Sequence, residues 1–562
     1  MLLPFFVCAA CSTDSSTSID AGAKQPDALI VDGSTTDILG DGPARDSVAT
    51  DGGADQQVEQ TGSPAWTTFT PSADTMIVYV SNSLGDDSTC DSYAASAVDD
   101  VFQPSDAFTP CKTIGKAASI FNALPNGAPH WILFKSGDTW TNESFGKWEK
   151  SGRSAAEPAL LASYGDSSER PRVLTGTDGF SAAVSAGVEF VTIADLHIDA
   201  HTYASDGSTG PRAFRWITEV AGGDWVFEGL HVQNFQTAFL IGASQDPYRG
   251  KISNLTFRNN VVNGNQGENA LYISGVNGAQ LFEGNTFYDN AYLPGHEDGA
   301  YRGKHIYFDN ENGYPPFDPT GSAIFRENIF VDSTAYAFHA RTGGEIENNY
   351  VEGHGLGIVV GGHDGGQTWD LVTTSVHHNV VMHLVDSLHQ ELGYGILLEN
   401  SDADVEYNII AYYGSAKDYG HPFQVSGEAG NTTTARLVRN TIYSTVGDIR
   451  KIDDVAPIVQ SDNLINDDME LLSTNSLSSA VSFVDAELRD LAKYNMEVLG
   501  GPRETKAFML EALKQWRGNF SGAYTANAVN EYIRRGFEPD GSQPEMCAKG
   551  AVPCGYGSGA DN

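Results

Sequence analysis

Between residues 257 and 442 the chain repeats one order of apolar and polar positions: an apolar residue, two variable positions, Asn, one variable position and a second apolar residue. The asparagines are Asn260, Asn285, Asn328, Asn349, Asn379, Asn408 and Asn440. Phe257, Phe282, Phe325, Ile346, Val376, Val405 and Leu437 stand three residues before them, and Val262, Phe287, Phe330, Val351, Val381, Ile410 and Ile442 two residues after. All fourteen flanks are apolar, which marks an internal repeat. Its spacings of 25, 43, 21, 30, 29 and 32 residues are too uneven for a helical-hairpin array. They suit coils of short strands whose loops absorb the differences. The pattern therefore predicts an all-β fold, a right-handed single-stranded parallel β-helix of roughly ten coils, continuous from about residue 75 to 480.

Each repeat Asn is expected at a tight bend, where it tolerates left-handed geometry and bonds the Asn one rung above and below. Segments 188–199 (VEFVTIADLHID) and 224–235 (DWVFEGLHVQNF) extend the stack backwards without the Asn. Open solenoid ends expose strand edges and need covering. Residues 111–124 (CKTIGKAASIFNAL) predict a short amphipathic helix and 130–140 (HWILFKSGDTW) a first strand, together an N-terminal cap. Residues 483–537 change to helical spacing, so a partly helical tail is expected to cap the last coils.

Composition bounds the partners and the compartment. With 33 basic and 73 acidic residues the net charge is −40, which repels polyphosphate and sets nucleic acid aside. No run of ~18 apolar residues occurs, which excludes a transmembrane helix. Residues 12–64 carry nine Asp and Glu59 against Lys24 and Arg45, with no aromatic residue, and read as a flexible tether. Before them, MLLPFFVCAAC is a short apolar stretch closing on small residues and Cys11. It resembles a bacterial lipoprotein signal, though it lacks a basic n-region, and the resemblance implies an exported chain lipidated at Cys11; plain secretion is the alternative. Four further cysteines favour the disulfides Cys90–Cys111 and Cys547–Cys554 over metal binding. The expected division is a signal at 1–11, a tether at 12–64, the β-helix with its cap at 65–480 and a C-terminal capping extension at 481–562.

KTIGKAASIFNAL, ILFKSGDTW and SGRSAAEPALLASYG, followed by stacked NxF and NxV coils, resemble the right-handed β-helix proteins of the pectin-lyase-like superfamily over about residues 75–450. That resemblance implies the fold and a carbohydrate-active enzyme, but no single reaction, because the superfamily holds lyases, hydrolases, epimerases and tailspikes.

After each Asn turn comes a further strand, aligned here as ALYIS (270–274), HIYFD (305–309), AFHAR (337–341), GIVVG (357–361), GILLE (395–399) and PFQVS (422–426). Period-two alternation sends Leu271, Ile306, Phe338, Ile358, Ile396 and Phe423 inward. It leaves Tyr272, Tyr307, His339, Val359, Leu397 and Gln424 in one outward column and Ser274, Asp309, Arg341, Gly361, Glu399 and Ser426 in the next. His305, Tyr307, Asp309, His339 and Arg341 then share one face on adjacent rungs. The inserts 291–303, which holds Arg302, and 311–320 flank them, and long loops beside such a cluster point to function.

A lyase acting on a uronate needs a cation for the sugar carboxylate, a base for the neighbouring C5 proton and an acid for the leaving oxygen. Arg341, then His339 or Lys304, then Tyr307 or His305 fill these roles; Lys304, Tyr272, Asp309, His363, Glu399 and Arg302 line the cleft. A glycosidase needs two carboxyls ~5–5.5 or ~6.5–9.5 Å apart, whereas Asp309 and Glu399 stand three rungs, about 14 Å, apart. The lyase ranks first, a glycoside hydrolase second, and a non-catalytic glycan-binding or adhesin-like surface lipoprotein is the competing class. Gly353-His354-Gly355 matches a polygalacturonase element without its companions, and His354 reads as structural. Lys304 and Arg341 resemble the Lys/Arg pair of calcium-dependent β-helix lyases, but the acidic triplet is missing. The residues assign no cofactor and leave calcium dependence open; Ca2+ is the cation the acidic surface would suit. The expected partner is a polysaccharide, with a membrane reached only through the lipid, and the chain is expected to act as a monomer.

Overall fold

The computed structural model describes residues 66–537, apart from 106–107, 185–186, 206–209, 219–221, 244–251, 292–302, 310–322, 363–371, 385–392, 412–420, 427–432, 444–457, 462, 467–477 and 482–488. Cys11, Arg302, His363, Cys547 and Cys554 lie outside the described residues.

Alternating apolar residues in short strands can be buried only if successive coils stack, and the chain does this with three sheets. The first has 14 strands, from Met76–Val80 and its antiparallel partner Ser92–Ala94 to Ile458–Ser461; the second has 13 and the third 10. Every other pairing is parallel, and each strand pairs with the one a full turn away. One turn runs Ala323–Arg326, Ile329–Ser333, Tyr336–Ala340, and the next runs Gly344–Glu347, Tyr350–Glu352, Leu356–Gly361. Ten turns contribute to all three sheets among the described residues. The fold is a parallel β-helix, as the repeat predicts.

The apolar flanks of the repeat fill its interior in columns. Phe282 stacks on Phe325 with ring centroids 4.6 Å apart, and Phe287 on Phe330 at 5.0 Å. The repeat asparagines form a continuous buried ladder. In Asn260, the backbone N–H and Nδ2 donate to Asn285 Oδ1 at 2.9 and 3.0 Å, and Nδ2 also donates to Phe227 O at 2.8 Å. The scheme repeats through Asn440 to Asn463, an eighth member outside the sequence pattern. On the other side Leu230 N–H caps the ladder by donating to Asn260 Oδ1. The left-handed residue, however, is the one before each Asn: Asn259, Gly284, Glu327, Asn348, His378, Tyr407 and Arg439 have φ between 51° and 66°. That residue reverses the chain, which frees the Asn side chain to point inward and satisfy buried backbone groups.

At the N-terminal end the helix Ile114–Ala123 buries Ile114, Ala117, Ala118 and Phe121 against the interior. Thr113 caps it, and the Cys90–Cys111 disulfide ties the preceding loop, as its spacing predicts.

The C-terminal helices lie along the flank of the second sheet instead of across the last coils. Leu491–Glu497, Thr505–Ala512 and Ala526–Arg534 bury Leu491, Phe508 and Ile533 against Val331, Tyr350, Val380 and Ile409. Between the last two of these helices, Trp516 donates to Ser168 O at 3.0 Å, and Arg517 bonds Asp195 at 2.7 Å, Glu228, and Thr67 O. The segment therefore braces early and middle coils together. Its apolar stripe has a ready partner in the outward residues of the second sheet, which the inward-facing repeat leaves out of account.

Candidate functional site

The third sheet carries the candidate chemistry, because its outward positions bring Tyr272, Lys304, Tyr307 and His339 onto neighbouring rungs. The observed register is the expected one: Tyr272 pairs with Tyr307, Tyr307 with His339, His339 with Val359, and Gly361 with Glu399.

Four residues converge on Tyr307. Lys304 Nζ lies 4.3 Å from the centre of the Tyr307 ring, and the Arg341 guanidinium carbon 5.1 Å from it. The His339 ring centroid is 5.5 Å from that of Tyr307, and Tyr272 meets Tyr307 edge-on at 5.5 Å. His339 and Arg341 are buried, 8% and 9% exposed. The His339 Nε2–H donates to Gly361 O at 2.6 Å. That contact fixes the tautomer, since a carbonyl only accepts, and makes Nδ1 the basic nitrogen. Burial first, and then the positive charges of Lys304 and Arg341, push the His339 pKa well below the ordinary 6.5, so the ring is neutral at pH 7. Gly362, with φ 126°, must lack a side chain here: a Cβ would stand 3.0 Å from His339 Nε2 and 3.2 Å from Glu399 Oε2.

His305 departs from the expected face. It has no exposure, its Nδ1 contacts Asn290 Nδ2 at 3.0 Å, and its ring packs among Phe287, Phe330 and His354. The strand begins at this bend, where alternation is not yet established. The equivalent positions in neighbouring coils, Ala270, Ala337, Gly357 and Gly395, are small, and a Cβ on Gly357 would reach Val381 at 2.8 Å inside the coil. His305 thus ends a second, shorter asparagine ladder, in which Asn265 donates to Asn290 Oδ1 at 2.8 Å, and it leaves the outward cluster. His354 is likewise internal, bonded to Ser333 and to Phe330 O, the structural role its bend position implies.

Asp309 holds the expected register position opposite Ser274, and three rungs separate it from Glu399. Sequence reasoning passed over Tyr336. It pairs with Lys304, whose ammonium sits 4.9 Å from its ring, and stacks with His339 at 6.3 Å. Extending the AFHAR strand one residue backward in register would have found it. Past His339 the outward column turns apolar: Val359 and Leu397 are buried with Leu356, and Tyr336 and Tyr394 pack against them. The polar face therefore continues toward the N-terminal coils.

Among the described residues, Glu345, Glu347 and His377 bring one ligand atom each within 4.8 Å of one another, as do Asp87 and the disulfide-bonded Cys90 and Cys111; the first group offers the donors that could hold a metal ion. Glu345, Glu347 and His377 stand in the first sheet, apart from the His339 cluster.

No family model matches the chain, and no curated protein matches it. Among solved structures, the A-module of the Azotobacter vinelandii mannuronan C-5 epimerase AlgE6 is similar over 65% of this chain and 93% of that one, at 14% identity and a TM-score of 0.44. The fold it shares with this chain is the parallel β-helix. A GH136 lacto-N-biosidase from Eubacterium ramulus is similar over 70% of this chain and 68% of that one, at 13% identity and a TM-score of 0.39. An alginate lyase from Paenibacillus sp. str. FPU-7 is similar over 66% and 98%, at 14% and 0.32. At these values the likeness is one of fold, and the chemistry rests on the side chains described above.

The buried histidines set an acid limit on the solenoid. His231 and His354 are pushed down to about 3 by burial, and His305 well below 6.5. The unfolded chain binds protons below 6.5 where the folded one does not, so stability is full above that pH and falls beneath it. Each such histidine removes about 1.4 kcal/mol per pH unit until its folded pKa is reached. Urea midpoints measured from pH 7 to pH 4 should fall, by less than the histidines alone would give, because Asp195 and Asp332, raised to about 6 by burial, act with the opposite sign; midpoints that rise on acidification would overturn the reading.

Proposed function

We propose that the chain is an extracellular enzyme that cleaves an acidic, uronate-containing polysaccharide by β-elimination. The observation that carries this reading is the neutral, tautomer-locked His339 set between two cations and a phenol. Arg341 pairs with the sugar carboxylate, and with Lys304 stabilises the negative charge that builds as the C5 proton leaves. His339 Nδ1 takes that proton, and the Tyr307 hydroxyl delivers one to the departing glycosidic oxygen. His305, enclosed among Phe287, Phe330 and His354, drops out as the alternative acid. The three-rung separation of Asp309 and Glu399, about 14 Å, favours elimination over a two-carboxylate hydrolysis.

Incubation with a panel of polyuronates and neutral glycans tests the reading. New reducing ends with the ultraviolet absorbance of unsaturated uronates are expected from the polyuronates alone. Reducing ends without that absorbance would move the hydrolase ahead, and no cleavage of any polymer would favour a glycan-binding surface protein.

For location the proposal is an exported chain, held at a bacterial surface or in the periplasm by lipid on Cys11 and displayed on the 12–64 tether. Cys11→Ser should move the protein from the membrane to the soluble fraction. Identical fractionation of both forms would leave ordinary secretion in its place.

A further inference from the structure

Four rungs before His339 the same outward column opens into a cavity of about 320 Å³. Ser181, Ala182, Gly146 and Gly210 form part of its wall, and Arg212 and Arg215 both line it. The column is continuous: Arg215 pairs with Leu240, Leu240 with Tyr272, Tyr272 with Tyr307 and Tyr307 with His339. At ~4.8 Å per rung the two ends stand roughly 19 Å apart. Small residues account for the opening. Ala182 occupies the column position beside Arg215, and Gly146, at φ 78°, faces open space where a Cβ would stand.

The electrostatics of the cavity favour an anion. Two guanidiniums share it, no ion pair to either occurs among the described residues, and the whole chain carries −40. Arg212 binds its proton less tightly than usual because it is partly buried and because Arg215 repels it. A carboxylate would relieve that repulsion, and a guanidinium fork matches it with two parallel bonds. Between this cavity and His339 the column presents Leu240, Tyr272 and Tyr307, side chains with flat or apolar faces against which sugar rings pack. On the far side of His339, buried Val359 and Leu397 end the polar face.

We propose that the Arg212–Arg215 cavity is a distal subsite for the carboxylate of an acidic sugar, so that one polysaccharide chain lies along the third sheet from His339 to Arg215. The proposal rests on the reading of the substrate as a polyuronate, and it makes the enzyme selective for chains long enough to span both ends.

The test is kcat/KM for a length series of oligouronates, from the disaccharide upward, with His339 intact. For the parent it should rise with length and then level. Arg215→Gln, at an exposed position, should cost about tenfold on the long oligomers through KM, so that the profile levels at a shorter length. Arg212→Gln should act in the same direction. Lys514→Gln, on the C-terminal extension and paired with Glu511, controls for net charge and should leave the length profile as in the parent. If the parent cleaves polyuronates but both arginine variants keep its length profile, or lose the same factor at every length, the subsite is wrong and the function stands. If the parent acts on no uronate of any length, both fall together.

Discussion

His339→Ala should lower turnover of a polyuronate by at least about 10²-fold, with KM changed far less, because the group removed is the one that accepts the proton in the transition state. The acid limb of the parent's kcat/KM profile provides the sharper check. A base held well below 6.5 by burial, Lys304 and Arg341 stays deprotonated as pH falls through 6.5, so kcat/KM should persist below the pH at which an ordinary histidine would lose it. Arg341→Gln removes one of the charges that depress this pKa, so the limb should move to higher pH as the rate falls. The limb in kcat should lie above that in kcat/KM, since a bound carboxylate offsets the same cations. A His339→Ala chain with full turnover on a polymer the parent cleaves would place the reaction elsewhere.

Asn379→Leu should be among the most destabilising single changes in the solenoid. Asn379 Oδ1 accepts from the Asn349 N–H at 3.0 Å and from Asn349 Nδ2 at 2.9 Å, and its Nδ2 donates to Ile346 O at 2.9 Å, His377 O at 3.1 Å and Asn408 Oδ1 at 3.0 Å. Leucine fills a similar volume but takes their partner from the Asn349 N–H and the Ile346 carbonyl, while Asn349 Nδ2, His377 O and Asn408 Oδ1 keep a second bond, a loss of about 2–6 kcal/mol at the 1–3 kcal/mol of each orphaned group. A drop of that size in the urea-derived stability is expected, while activity per folded molecule is kept, since no ladder residue faces the His339 cluster. A loss below about 1 kcal/mol would mean that the rungs relax around the missing bonds or admit water.

How far the sequence was legible depends on the periodicity each residue obeys. The ladder asparagines and their flanks recur in successive coils from Asn260 onward under the same geometric demand, so the coil stack, the inward columns and the pairing of Tyr272, Tyr307 and His339 could be read from residue types alone. His305 failed because it stands at a bend, where inward and outward are set by the path of the chain between two sheets; its neighbours' small size, Ala270, Ala337, Gly357 and Gly395, was the available signal. The left-handed residue was displaced by one for the same reason, as the bend is made before the Asn and the Asn side chain is spent on pairing backbone groups.

The sequence by itself determined the solenoid, its strand register and the column that holds Tyr307, His339 and Arg341, because a period of two inside a repeated coil leaves each side chain only two directions. Tertiary structure alone decided the rest. Whether the C-terminal helices lie over the end of the stack or along the second sheet depends on which apolar surface is left uncovered once the coils have closed, and Arg517 finds Asp195 and Glu228 across some three hundred residues of chain. The protonation state of His339 is likewise a property of its surroundings. It needs the depth of the site, the Lys304 ammonium and the Arg341 guanidinium, none of which is written in the histidine's own position along the chain.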